Sequence, residues 1–299
     1  MLSQYCAEPF YTFAGGKLSP EHFERHMRQS LDVGFNYWII KPSGTAYTKK
    51  VYDRVLERDG VVVFWGPNNY PIWGRIRPKW ALGKLMLTTP EMRVRFFNEA
   101  ERVTTPAQFC RSFATGVGAD RFKEAVRKDI GMMLHGSAEH KLLGFPKTTI
   151  YWNDWEQTPW SSKHVKLFCF CDNCKSAFRE YAKLPAAADL SDKAIEANHR
   201  KEWKQFRCEL DGRVNGLVKQ ACNELGLQYM YYDMVRYKDN WPPLKGRIDL
   251  AFPGWPGSGQ AVGLGPHDGV GSFPVNQQAL DRQMPFLREK VGMARATGQ

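Results

Sequence analysis

Short runs of β-branched and aromatic residues alternate along this chain with longer segments whose apolar positions recur at helical spacing. Pro9 to Ala14 reads as a strand that stops at Gly15-Gly16, and Ser19-Pro20-Glu21 then opens a helix with a capping Ser and Pro at the first position. Phe35 to Ile40 (FNYWII) is a second strand, Thr48 to Arg58 a helix, and Val61 to Trp65 (VVVFW) a strand with the continuous apolar character of one buried on both faces. The fourth strand is Lys147 to Trp152, introduced by Phe145-Pro146. A short helix over Ser176 to Lys183 and a long amphipathic one over Asp192 to Leu225 follow, the latter with Trp203, Phe206, Leu210, Val214, Leu217, Val218 and Ala221 facing inward. Leu227 to Asp233 and Arg247 to Phe252 are the fifth and sixth strands, and Gln277 to Ala296 is the last helix.

Strand, helix, strand is the rhythm of a parallel sheet. It predicts one (β/α) barrel of TIM type over residues 1–299, with a helical insertion at about 67–146 and a Cys-rich loop at about 157–175. Six strand-helix units do not make an eight-stranded ring, so the expectation is a fragment with two units missing at the C-terminal end.

The chemistry concentrates between Lys147 and Tyr181. If the fourth strand is prolonged, Thr148, Ile150, Trp152, Asp154 and Glu156 share one face, and two carboxyl groups at i and i+2 stand roughly 7 Å apart. Trp152, Trp155 and Trp160 crowd these acids; apolar surroundings raise a carboxyl pKa, as a general acid near neutrality requires, and aromatic faces suit sugar rings. Asp233 ends the fifth strand, so in a parallel sheet it comes to the same rim. The expected catalytic set is therefore Glu156, Asp154 and Asp233, with Trp65, Asn68, Trp152, Asn153, Trp155, Tyr232 and Trp255 as sugar-binding residues at strand ends and loops. The bland reading of such acids, loop capping and solvation, stands beside the catalytic one.

Thirteen residues beyond Glu156 comes Cys169-Phe170-Cys171-Asp172-Asn173-Cys174. Three thiols this close can converge on one metal, and zinc, tetrahedral and thiolate-bound, is the ion such spacing suggests. A full site needs a fourth ligand, for which Cys110, Cys208 and His164 are candidates; Cys110 is carried forward. CFCDNCKSAFREY after a strand ending in acids resembles the segment that follows the acid/base strand in the zinc-binding β-galactosidases of glycoside hydrolase family 42. The matching residues are Cys169, Cys171, Cys174, Ala177, Phe178 and Arg179. The resemblance implies a barrel glycosidase with a structural zinc beside its active site, Glu156 in the acid/base place and a nucleophile on a seventh strand. Where that family has Asn-Glu as neighbours, this chain has Asn153-Asp154-Trp155-Glu156.

Composition narrows the choice further. With 43% hydrophobic residues and ten Trp in 299, the chain has material for a large core. The net charge of +11 is spread among acids, as in KKVYDRVLERD, and makes no basic block for nucleic acid. Seven cysteines, three of them clustered, fit a metal site or a reducing compartment better than a disulfide framework, and no apolar run reaches membrane-spanning length. The sequence thus predicts a glycoside hydrolase acting on an oligo- or polysaccharide, with zinc, without an organic cofactor and without nucleic-acid or membrane partners. A barrel that binds carbohydrate without cleaving it is the alternative.

Overall fold

The computed structural model describes residues 2–5, 25, 28, 32, 35–40, 46–65, 78–92, 94, 109–153, 169–233 and 244–253. Six parallel strands form one sheet in sequential order: β1 (Leu2–Tyr5), β2 (Phe35–Ile40), β3 (Val61–Trp65), β4 (Ile150–Asn153), β5 (Gln228–Asp233) and β6 (Leu250–Pro253). The helices between them are α1 (Ala46–Leu56), α2 (Ala81–Thr88), α3 (Arg111–Thr115), α4 (Ala119–His135), α5 (Asp172–Tyr181), α6 (Asp192–Asn198) and α7 (Arg200–Asn223). None of the described helices is long and apolar enough to cross a membrane.

The sheet corrects the predicted closed barrel. Among the described residues β1 pairs only with β2 and β6 only with β5, so the sheet is open, with β1 and β6 at its two edges. A parallel rhythm dictates that each strand pairs with the next through a helical crossover. It carries no information on whether the first and last strands meet, which depends on strand number, tilt and stagger together.

Several boundaries also moved. β1 is Leu2–Tyr5, ahead of the expected strand at 9–14, and that segment lies outside the described residues, as does the expected helix at 277–296. The single long helix expected over 192–225 is two. Ser191 caps α6 by accepting from the Ala194 amide (3.2 Å), and the helical run breaks at His199, which serves as C-cap of α6 and N-cap of α7.

The described core is continuous from the sheet into the helices. β4 is buried along its whole length, because it lies between β3 and β5 and both its faces are covered. In register, Tyr151 pairs with Tyr229 and Asn153 with Tyr231, and the Tyr151 and Tyr229 rings stack at 6.3 Å. The Tyr229 hydroxyl reaches Asn215 of α7, so positions 151, 153, 229 and 231 form the face turned toward that helix, and Ile150, Trp152 and Met230 alternate to the other. Two ion pairs fix α7 against the approach to β6: Lys219 with Asp249 (3.0 Å) and Glu209 with Arg247 (2.8 Å).

Between β3 and β4 the helices α2, α3 and α4 fall within the stretch read as an insertion. α4 packs along α7 and returns to β4 through Gly136 and Gly144, both at positive φ. A side chain at Gly144 would meet the Gly136 amide nitrogen at 2.6 Å, so this return requires glycine. Tyr52 of α1 accepts from the Lys147 amide (2.6 Å) and sets the entry of β4.

One long-range contact organises the insertion. The residue before α2, Trp80, offers no side-chain cap. Instead Asp129 of α4, wholly buried, accepts from the amides of Ala81 (2.7 Å) and Leu82 (3.0 Å). Asp129→Ala therefore strands one buried and one part-buried donor at a helix start, and the expected loss is about 2–3 kcal/mol of unfolding free energy, read from urea midpoints. A loss under about 0.5 kcal/mol, the range of a neutral surface substitution, would show that this cap does not hold the insertion in place.

Candidate metal centre

Four cysteine sulfurs from two distant parts of the chain come together beside α7: Cys110, Cys169, Cys171 and Cys174, all within 4.8 Å of one another. Local structure explains the convergence of the last three. Cys171 is the extended N-cap residue of α5, Cys174 lies in its first turn, and Cys169 precedes the cap by two residues. An extended C-x-C feeding a helical C-x-x-C brings three thiols around one helix start. Cys110 is the extended residue before α3, anchored by its amide on the Met92 carbonyl (2.7 Å).

The sulfur geometry is that of a ligand set. Cys110 Sγ is 3.4 Å from Cys171 Sγ and 3.5 Å from Cys174 Sγ. A disulfide would bring two sulfurs to about 2.05 Å. Tetrahedral ligation with metal–sulfur bonds of about 2.3 Å separates them by about 3.8 Å. Four soft donors, three of them buried, can hold a metal ion.

Protons are shared unequally among these thiols. Cys174 is held well below the ordinary thiol range by hydrogen bonds from Cys110, Cys169 and Cys171, with the Arg207 charge adding to them against the opposing effect of burial. Cys110 is pushed up, first by its hydrogen bond with Cys169. Crowded thiols thus ionise one at a time, and a divalent cation taking their place releases the remaining protons.

Around the sulfurs lies a shell of buried polar groups that sequence reasoning missed. Arg207 Nη1 approaches Cys174 Sγ to 3.8 Å. Arg111, next to Cys110, forms an ion pair with Asp211, and both side chains are less than a tenth exposed. Burial pulls the Arg111 guanidinium down to about 10, so it stays protonated at neutral pH, and pushes the Asp211 carboxyl up; their mutual attraction opposes both shifts. Arg207, Asp211 and Asn215 stand at i, i+4 and i+8 of α7, one polar stripe beside its apolar face. That spacing was the available signal. Three polar residues one helical turn apart on a core helix are costly unless they answer a charge. A divalent ion held by four thiolates would carry two negative charges, and the buried guanidiniums of Arg111 and Arg207 would answer them. Phe170 stacked on Trp203 (5.3 Å) and Phe178 set edge-on to the same ring (4.8 Å) complete the apolar wall.

The stripe continues into the sheet. Asn215 Nδ2 donates to the Asp211 carbonyl (2.8 Å), the Tyr229 hydroxyl donates to Asn215 Oδ1 (2.6 Å), and Asn153 Nδ2 donates to the Tyr229 oxygen (3.1 Å). Asn153 Oδ1 is buried with no hydrogen-bond partner among the described residues.

Of the expected site residues, the four cysteines are thus together. Cys208 is buried in α7 outside the cluster, and His164 lies outside the described residues. Trp152 and Asn153 end β4 fully buried. Trp65 ends β3, and Tyr232 and Asp233 end β5, as backbone positions whose side chains are outside the description. Asn68, Asp154, Trp155, Glu156 and Trp255 lie outside the described residues.

Two outcomes follow. Cobalt(II) added to chelator-stripped protein should give intense thiolate-to-metal charge-transfer absorption with tetrahedral visible bands, lost in Cys174→Ser; a spectrum of hydrated cobalt would rule out a four-sulfur site. Asp211→Ala leaves Arg111 buried without its carboxylate and should cost about 3–5 kcal/mol by urea unfolding, with Arg111→Met recovering part of that in the double variant. A near-neutral single substitution would show the pair to be dispensable. No protein-family model matches the sequence, and a search of curated proteins returns no match.

Proposed function

We propose that the protein is a glycoside hydrolase acting on an oligo- or polysaccharide through carboxylate acid–base catalysis, with the four-cysteine cluster holding a structural zinc ion. The observation that carries the reading is the direction of the sheet. All six strands are parallel, so β3, β4, β5 and β6 send their carboxyl ends to one edge. Ligands of parallel α/β sheets bind outside that edge. β5 ends there in Asp233, and in the sequence Asp154 and Glu156 follow the last residue of β4 by one and three positions.

In this mechanism Glu156 gives its proton to the departing glycosidic oxygen, and Asp154 orients it and keeps its proton affinity high through like-charge repulsion. A second carboxylate, for which Asp233 is the candidate in this chain, stabilises or attacks the anomeric carbon. Trp65, Trp155, Trp255, Asn68 and Tyr232 would supply ring faces and hydrogen bonds to the sugar, whereas Trp152 and Asn153, expected from the sequence to join them, are buried in β4 and would stand behind the site.

Zinc fits the sulfur site because four thiolates complete a tetrahedron and leave no position for a reacting water, the arrangement of a structural ion. Bound there, it supplies a cross-link between the insertion, through Cys110, and the start of α5. Purified protein should contain one zinc per chain by elemental analysis, and Cys171→Ser should lower that content.

Glu156→Gln in the full chain should reduce turnover of an unactivated oligosaccharide by about 10²–10⁴-fold while the fold and the metal content persist. Undiminished turnover would remove Glu156 from the mechanism. Saccharide binding by the unmodified chain with no product across a glycan panel would point instead to a carbohydrate-binding protein without catalysis.

A further inference from the structure

From the sulfur cluster to the end of β4 runs a series of polar contacts that is joined at one point by the helix itself: Asn215 is held by the main-chain carbonyl of Asp211, not by its carboxylate. It starts at Arg207 beside Cys174 and Arg111 beside Cys110, passes through Asp211 and Asn215 on α7, and reaches Asn153 through Tyr229. Arg207 to Asn215 covers about 12 Å of helix.

From the main-chain carbonyl of Asp211 outward, each orientation is forced by the one before it. The Asp211 carbonyl can only accept, so the side-chain amide of Asn215 must turn Nδ2 toward it and Oδ1 toward Tyr229. The Tyr229 hydroxyl has one proton and gives it to Asn215, so toward Asn153 it can only accept, and Asn153 must present Nδ2. Burial pushes Tyr229 far above its ordinary range, which keeps that proton in place. The result is that one side of the Asn153 amide is fixed from α7, and the other, Oδ1, is buried at the tip of β4 with no hydrogen-bond partner among the described residues.

We propose that Asn153 is a positioning residue whose setting, and with it that of the end of β4, is coupled to metal occupancy of the sulfur cluster through the position of α7 and the hydrogen bonds that run from its Asn215 to Tyr229 and Asn153. The coupling rests on these contacts alone; its catalytic consequence, alignment of the acids that follow Asn153 in the sequence, rests on the glycosidase reading. A metal at the cluster would hold Cys110 and Cys174 in place, and α7 with them, through Arg207 at Cys174 and through Asp211 paired with Arg111. Because coupling between two sites is reciprocal, loosening the β4 end must weaken metal binding by the same factor that metal removal loosens β4.

The test measures both directions in the full chain. Amide exchange at Trp152 and Asn153 should rise roughly three- to tenfold when a chelator strips the metal, the range of one buried hydrogen bond. In metal-loaded Tyr229→Phe the same amides should already exchange faster, and zinc affinity by chelator competition should fall by a matching factor. Asn215→Asp, which keeps the acceptor for Tyr229 but loses the donor to Asp211, should act alike. Tyr52→Phe removes a hydroxyl that holds the opposite end of β4 and should leave zinc affinity unchanged. Unaltered exchange and zinc affinity in both Tyr229→Phe and Asn215→Asp would overturn the proposal, as would an equal loss of affinity in Tyr52→Phe. None of these readouts uses catalysis, so the coupling can stand if no glycan is cleaved. It can equally fail while Glu156→Gln abolishes turnover. If both hold, Tyr229→Phe lowers kcat with KM unchanged.

Discussion

A buried charge must be answered by another, and around α7 this constraint ties the described structure together. Arg111, Arg207 and Asp211 are drawn out of water where an apolar core would otherwise lie, beside an aromatic cluster in which Trp203 and Phe206 of α7 pack together and Phe170 stacks on Trp203. Such groups weaken a fold unless their partners are well placed. Here the partners come from separate stretches of chain: Asp211 for Arg111, the Cys174 sulfur for Arg207. The ion pair and the sulfur cluster therefore depend on each other. Thiolates brought this close repel, and guanidiniums held this deep need negative charge. Each feature alone costs stability, and together they fix where the insertion, α5 and α7 meet.

How much of this the sequence disclosed follows the range of the interactions. Cys169, Cys171 and Cys174 lie within six residues, and the geometry of an extended C-x-C entering a helix is local, so their convergence was legible. Cys110 stands 59 residues before Cys169 and could be named only as one candidate of three; tertiary packing selects it by setting the start of α3 against the start of α5. The strands at 35–40, 61–65 and 228–233 announced themselves through β-branched and aromatic runs. Closure of the sheet left no trace in any single segment, and its prediction failed for that reason. The break at His199 was hidden because the apolar positions on either side keep helical spacing through it, whereas the Ser191 cap that starts α6 is a readable local feature.

The polar stripe of α7 shows a different kind of illegibility. Arg207, Asp211 and Asn215 show in the sequence as one i, i+4, i+8 stripe, but that spacing alone does not tell a buried polar stripe from a solvated one. What makes them interior is that α7 is covered on more than one side: α4 and α3 pack on it as well as β5. A helix in that position has little surface to give to water, so polar residues there are either errors or parts of a network. Asn215, wholly buried with both ends of its amide bonded, is the clearest mark of the second case.

Strand alternation adds one constraint on any chemistry at the carboxyl edge. Positions 151, 153, 229 and 231 belong to the face toward α7, and position 233 shares their alternation, whereas 150, 152 and 230 belong to the other. Strand direction and pairing bring the carboxyl ends of β4 and β5, at Asn153 and Asp233, to the same edge of the sheet. Groups assembled that way owe their spacing to the ends of β4 and β5, where the ladder stops supplying hydrogen bonds and other contacts must take over. At β4 the contact that takes over is the Asn153 amide on Tyr229, itself oriented by Asn215. The end of β4 is thus secured from the helix side of the sheet, by α7, whose Arg207 and Asp211 also meet the residues around the sulfur cluster.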